Sequence, residues 1–227
     1  MRIAQLTFQG GVFQMSSELV TSLTFKSNDP EFLMDRLLKD PTRHVLFDCD
    51  GLILDTEPVY STVALEALKQ ILPPTTAPTT FPAPLKRRIM GGTKIQVARQ
   101  MVAFIQDEYG VQVDLQHWID LTETLEEEAF QCGEFGVMPG VKEAISLFKG
   151  FGWPVAVATS SCRRHFSMKS SHPHTAPLFT LDSFPQITCG DDRDHLGRPL
   201  QGKPHPSIFS AARNKLIVDT AVAVKGI

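Results

Sequence analysis

A chain of 227 residues is long enough for one sizeable core plus a smaller inserted unit, and too short for two ordinary domains in tandem. With 42% hydrophobic and 21% charged residues it has the balance of an ordinary globular protein, which excludes a disordered or fibrous chain. A formal net charge of -3, with no basic run longer than Lys86-Arg87-Arg88, excludes an electrostatic footprint for nucleic acid, and no apolar run approaches the roughly 20 residues that cross a bilayer.

The stretch from Met1 to Asp29 lacks the compact apolar block of a secretory signal; being poor in acids it can be read as an organelle transit peptide, but a flexible leader over residues 1–29 is the favoured expectation. Leu33, Met34, Leu37 and Leu38 recur at helical spacing between Asp29 as a cap and Pro41 as a stop, which predicts a short lead-in helix. His44 to Cys49 is a brief apolar run ending in a polar cluster, the pattern of a buried central strand, and Gly51 lets the backbone leave it sharply. Glu57 to Leu72 is apolar in helical phase, a Pro- and Thr-rich loop follows from Pro73 to Pro84, and amphipathic helices are expected over Thr93 to Tyr109 and Asp114 to Gln131, with Gly110 as the stop between them. Pro139 and Gly140 open a helix through Phe148; Pro154 to Thr159 reads as a second strand, Ser160 to Ser170 as a helix and Phe184 to Cys189 as a third strand. A polar loop from Asp191 to Gly202 leads to a helix over Pro206 to Leu216. This order predicts an α/β protein with a parallel-sheet core over residues 30–56 and 138–227, interrupted by a helical unit over residues 57–137.

In such a sheet the ligand site lies beyond the carboxyl ends of the strands, where Asp48 with Asp50, Thr159 with Ser160, and the later Lys203 would gather. Two carboxylates two residues apart can divide the labour of phosphoryl transfer, one attacking phosphorus and the other protonating the leaving oxygen and then activating water. A carboxylate approaching a phosphate dianion needs a metal ion between them, and oxygen-only ligands favour magnesium. A hydroxyl and an ammonium would hold the equatorial oxygens. Taken singly, Asp-x-Asp before Gly is a common turn, Thr159 a helix cap and Lys203 a solvated loop lysine. The four cysteines, Cys49, Cys132, Cys162 and Cys189, have no C-x-x-C spacing, which argues against a zinc knuckle or redox dithiol and fits a reducing, cytoplasmic compartment.

The string Val45-Leu-Phe-Asp-Cys-Asp-Gly-Leu-Ile-Leu-Asp-Thr-Glu57 closely resembles the first motif of the haloacid-dehalogenase-like hydrolases. Val155-Ala-Val-Ala-Thr-Ser-Ser161 and Gly202-Lys-Pro-His-Pro-Ser-Ile-Phe209 resemble the second and third, and the likeness covers roughly residues 43 to 215. It implies a Rossmann-like core with an inserted α-helical cap, Asp48 as nucleophile and magnesium ligand, Asp50 as general acid/base and magnesium ligand through its carbonyl, Thr159 as the phosphate-binding hydroxyl with Ser160 as a substrate contact, and Lys203 as charge stabiliser. The aspartate at 50 is the mark of the family's phosphatases and phosphomutases, which its dehalogenases lack. Arg164-His165-Phe166, Cys189-Gly-Asp-Asp192 and Gln201-Gly-Lys-Pro look most like the eukaryotic small-substrate branch that includes pseudouridine-5'-phosphatase. Met90-Gly-Gly-Thr-Lys94 resembles the cap loop that reaches into the substrate space, which makes Gly91 and Lys94 candidate substrate contacts. The expected partner is a small phosphorylated metabolite met by a monomer.

Family members continue after the third motif into a fourth strand ending in paired acids that complete the magnesium site. Here the residues after Lys215 read Leu-Ile-Val-Asp-Thr-Ala-Val-Ala-Val-Lys-Gly-Ile, so the core is expected to be incomplete at its C-terminus, with Asp219 the one strand-end acid on offer and Asp191 and Asp192 as substitutes. Two readings follow: a magnesium-dependent phosphatase working through a phospho-aspartyl intermediate, or a truncated, catalytically weak protein that binds a phosphorylated ligand or a partner.

Overall fold

Short apolar runs that are continuous in sequence tend to be buried on both faces, and two of them, with a more polar third strand, build the central sheet. The computed structural model describes residues 5–9, 12–16, 44–89, 93–133, 135–203 and 205–225. Its elements begin with an antiparallel pair, β1 (Gln5–Gln9) and β2 (Val12–Ser16), with Phe8 opposite Phe13. This hairpin lies within the stretch expected to be a leader; the expected lead-in helix lies outside the described residues. Next come β3 (Val45–Phe47), β4 (Val155–Ala158) and β5 (Gln186–Thr188), ordered β3-β4-β5 and all parallel, with Val45 beside Val155 and Val157 beside Ile187. The α/β expectation holds.

Alternation along each strand divides the side chains between two layers. Val45, Phe47, Val155 and Val157 enter the larger core with Phe166, Phe184 and the apolar face of α5 (Val141–Gly150). Leu46 and Ala158 face the other way, onto Ile208 and Ala212 of α7 (Ser207–Lys225). Phe47 meets the rings of Phe148 and Phe184 edge-on at 6.1 and 5.8 Å, and burial of each such ring stabilises by about 1.5–3 kcal/mol.

Between β3 and β4 the chain builds a second, helical layer from α1 (Glu57–Ile71), α2 (Ala83–Ile89), α3 (Lys94–Tyr109) and α4 (Leu115–Cys132). Ala67, Leu68, Leu85, Met101, Ile105 and Trp118 form its own apolar cluster. The two long outer helices tie both cores together: α1 gives Val59 and Val63 to the sheet core and Ala67 and Leu68 to the helical one, while α4 divides Phe130 and Trp118 in the same way. Helix starts follow their caps. Thr93 and Gln96 make a reciprocal capping box for α3, and Asp114 accepts from the His117 amide at 2.9 Å for α4.

Three boundaries differ from expectation for physical reasons. The loop predicted up to Pro84 yields to α2 at Ala83, because proline is tolerated in a first helical turn, where its missing N–H has no partner to lose. Helix α6 (Arg163–Ser171) starts three residues later than expected, capped by Cys162, whose Sγ accepts from the His165 amide at 3.5 Å. This leaves Ser160 and Ser161 in the loop. Helix α7 runs through Lys225, well past Leu216, so Asp219 lies within a helix and the idea of a strand-end acid there is corrected: the backbone makes no turn into a strand.

Candidate active site

The carboxyl ends of β3 and β4 open onto a cavity of about 520 Å³ beneath the helical layer. Asp48 follows β3 directly. Its Oδ1 accepts from the Cys49 amide at 2.7 Å, and its Oδ2 lies 2.5 Å from Lys203 Nζ. Lys203 is aimed there by the loop before α7, where Ser207 Oγ donates to the Gln201 carbonyl and accepts from the Gln201 amide, both at 2.8 Å. The Lys203 ammonium also sits 5.3 Å over the ring of Phe209.

Gly51, at φ 73°, turns the chain out of the strand, and its amide donates to the Leu54 carbonyl at 2.8 Å. The return brings Thr56 back to Asp50, whose Oδ1 accepts from Thr56 Oγ1 at 2.8 Å and from Lys169 Nζ at 2.6 Å, while Oδ2 accepts from Ser161 Oγ at 2.7 Å. Lys169 comes from α6 and is 0% exposed; besides Asp50 it donates to Ser161 Oγ at 2.9 Å and stands 5.1 Å over the Phe130 ring. A buried ammonium with a carboxylate, a hydroxyl and an aromatic face around it is fully accommodated.

These surroundings push the two aspartates apart. Burial raises the Asp48 carboxyl above its ordinary value, tempered by the charge and hydrogen bond of Lys203. Burial acts on Asp50 too, but there the Lys169 charge, with hydrogen bonds from Lys169, Ser161 and Thr56, prevails and holds the carboxyl below its ordinary value. Across the cavity, burial pushes Glu126 of α4 up to about 7, and burial with the charges of Lys94 and Lys169 lowers His165.

Of the residues singled out from sequence, Asp48, Asp50, Lys203, Ser160 and Lys94 all line this cavity. Lys94 spends its ammonium on Glu123, 2.6 Å away. Thr159 does not line it; the residue is 0% exposed, and its hydroxyl accepts from the Ser161 amide at 3.1 Å within the loop, while the helix that follows is capped by Cys162 and not by Thr159. Gly91 lies outside the described residues. Asp191 and Asp192 serve as braces: Asp192 takes the Arg163 guanidinium at 2.7 Å and Lys215 at 2.8 Å, and Asp191 accepts from the Arg163 amide. Lys169, Ser161 and Thr56 were missed from sequence, although Thr56 stands inside the first motif and Ser161 inside the second. Gly190 seats the loop: a Cβ there would lie 2.4 Å from the Ser160 carbonyl oxygen.

The donors that Asp48 and Asp50 could offer a metal ion form an all-oxygen set. Magnesium suits it, since that ion keeps several waters and takes only one or two carboxylates plus substrate phosphate. Among the described residues no group of three or more His, Cys, Asp or Glu side chains could hold a metal by itself.

The model of the haloacid dehalogenase-like hydrolases matches residues 42–224 of this chain. The chain belongs to that family. A (DL)-glycerol-3-phosphatase 1, mitochondrial, from Arabidopsis thaliana is 32% identical over 174 residues, which is 76% of this chain and 52% of that protein. A probable pseudouridine-5'-phosphatase from Drosophila melanogaster is 31% identical over 183 residues, 81% of this chain and 71% of that one. The chain thus spans between about half and just over two thirds of the length of these curated relatives. Two crystal structures of the family fold superpose on it: one described as a predicted phosphoglycolate phosphatase from Haemophilus somnus, at TM-score 0.59 and 19% identity over 76% of this chain and 70% of that one, and a beta-phosphoglucomutase from Clostridium difficile, at 0.55 and 15% over 77% and 70%. No helix among the described residues is long and apolar enough to cross a membrane.

Proposed function

We propose that this haloacid dehalogenase-like chain hydrolyses the phosphate monoester of a small metabolite, with Asp48 as nucleophile and Asp50 as its acid/base partner. The observation that carries the reading is the pair of carboxylates at the end of β3, each matched to its own lysine, Asp48 to Lys203 and Asp50 to Lys169, on the floor of a cavity roofed by helices. Curated relatives named as glycerol-3-phosphatase and pseudouridine-5'-phosphatase support the substrate class.

A phosphate at the cavity floor meets Lys203, whose ammonium draws charge from the equatorial oxygens as they are shared between bonds. Asp48 Oδ attacks phosphorus, the bond to the leaving oxygen breaks, and Asp50 gives that oxygen its proton, leaving a phosphoryl group on Asp48. A water then attacks that phosphorus as Asp50 takes its proton; the aspartyl bond breaks and phosphate leaves. The field of Lys169 favours the ionised form of Asp50, the form the second half-reaction uses, and works against the protonated form from which the first half-reaction takes its proton. Asp48 through its carboxylate and Asp50 through its backbone carbonyl would hold magnesium, which supplies the positive charge that lets a carboxylate approach a phosphate dianion. The helical layer over residues 57–137 acts as the cap: it closes over the leaving group and keeps bulk water from the first half-reaction.

Hydrolysis of an aryl phosphate by the purified chain, with and without magnesium and beside Asp48→Asn, tests this. Magnesium-dependent turnover that Asp48→Asn loses is expected. Absence of turnover from the folded protein overturns it.

A further inference from the structure

Five acids line the cavity, and three of them are ion-paired to a lysine. Asp48 pairs with Lys203, Asp50 with Lys169 and Glu123 with Lys94. Glu57 feels the charge of Lys86. The remaining lining acid, Glu126, forms no ion pair with a lysine or arginine among the described residues: the charges of Lys94 and Lys169 reach it from farther off, and its close contact is the ring of His165, with Nδ1 at 3.4 Å; that imidazole is lowered from its ordinary value, and its Nε2 is 3.7 Å from Glu127. Glu127 is held in turn by Arg164 at 2.6 Å. Glu126 is therefore a carboxyl group at 16% exposure, raised to about 7 by burial, that lines the cavity with the two aspartates and is in no ion pair with a lysine or arginine among the described residues.

We propose that Glu126 is a specificity-determining residue of the phosphatase read above: it accepts a hydrogen bond from a hydroxyl of the leaving group and turns away phosphate esters whose leaving group ends in a carboxylate. The inference rests on that reading for the placement of the phosphate at Asp48 and Lys203. A buried acceptor with spare lone pairs rewards a donor and repels an anion, and a like charge at close range inside a partly dry cavity is the strongest form of rejection a wall can offer. Glu126 and Glu123, one helical turn apart on α4, present this acidic edge beside the apolar surface of Met101 and Trp118. A neutral polyol or sugar ester satisfies both parts of the wall; a phosphorylated short-chain acid does not.

Binding measured by calorimetry in the Asp48→Asn background, with magnesium and near pH 8 so that Glu126 is ionised, reads the proposal without turnover. The probes are glycerol 3-phosphate, n-propyl phosphate and 2-phosphoglycolate. Glycerol 3-phosphate is expected to bind at least about tenfold more tightly than 2-phosphoglycolate, with n-propyl phosphate between them. Adding Glu126→Gln removes the charge and keeps an acceptor, so 2-phosphoglycolate gains about tenfold while glycerol 3-phosphate changes little. Adding Glu126→Asp instead keeps the charge but withdraws it, so rejection of the acid persists and the preference over n-propyl phosphate is lost. An unchanged ratio in both variants, or no binding of any probe by the folded protein, overturns the proposal. Failure of aryl phosphate turnover in the unmutated chain alongside the expected binding ratios would instead count against the hydrolytic reading and leave this one standing.

Discussion

Replacing Lys169 by methionine removes one half of a buried ion pair and keeps most of the side-chain volume. Its ammonium is 0% exposed and lies 2.6 Å from Asp50 Oδ1, so the substitution strands a carboxylate whose side chain is 21% exposed, with the hydroxyls of Ser161, Thr56 and, at 3.4 Å, Tyr60 left as donors. Breaking a buried pair on one side costs about 3–5 kcal/mol, and because the cavity partly wets Asp50 the lower end applies, about 3 kcal/mol. The pH dependence has a definite sign. Asp50 is held below its ordinary value, so its share of the stability is present above that value and is lost as pH falls through the lower, folded one. Lys169 is raised by Tyr60, Asp50 and Cys49 in spite of burial, so its share is complete below the ordinary lysine value and is lost only as pH rises through the higher one. The penalty should therefore be full at neutral pH and shrink in strong acid. Urea unfolding of the parent, Lys169→Met, Asp50→Asn and the double variant, at neutral and acid pH, measures the coupling. A penalty under about 1 kcal/mol at neutral pH, or one that grows in acid, would refute the reasoning.

Lys203→Met should lower aryl phosphate kcat by about 10²–10³, as for loss of one preorganised charge stabiliser, and by removing the cation that offsets burial at Asp48 it should move the acid limb of the pH profile upward. A pH–rate profile checks both. Gly190→Ala places a Cβ against the Ser160 carbonyl and should destabilise by about 1–3 kcal/mol, read by denaturant unfolding; a neutral result would mean that the loop moves freely. A thiol reagent should label exposed Cys132 quickly in the folded protein, while Cys49, raised well above its ordinary value by burial, and Cys189, pushed up to about 12, stay unlabelled until unfolding. Peptide mapping after timed labelling decides it.

The sequence disclosed the sheet and most helices because their signals are local. Val45 to Phe47 and Val155 to Ala158 are continuous apolar runs, and Gly110 ends α3 as its position in the pattern suggests. Asp48, Asp50 and Lys203 could be named because motif strings carry them. Lys169 could not, since a lysine in a polar helix reads as solvated; only the packing of α6 turns it inward onto a carboxylate far away in sequence. Glu126 was hidden for the same reason, as one acid among several on α4. Thr159 shows what a motif string leaves out, since its hydroxyl, at the position of the phosphate-binding group, is buried against its own loop. Pro82 and Pro84 masked α2 because proline was weighed as a breaker where it stands in a first turn.

The central claim is that Asp48 carries the phosphoryl group. Acid-quenched protein, taken during turnover of an aryl phosphate with magnesium, can be digested and its peptides weighed for an acid-stable trace of phosphorylated aspartate. The account predicts phosphoryl mass on the peptide containing Asp48, absent from Asp48→Asn; phosphoryl mass on another residue, or turnover undiminished in Asp48→Asn, would contradict it.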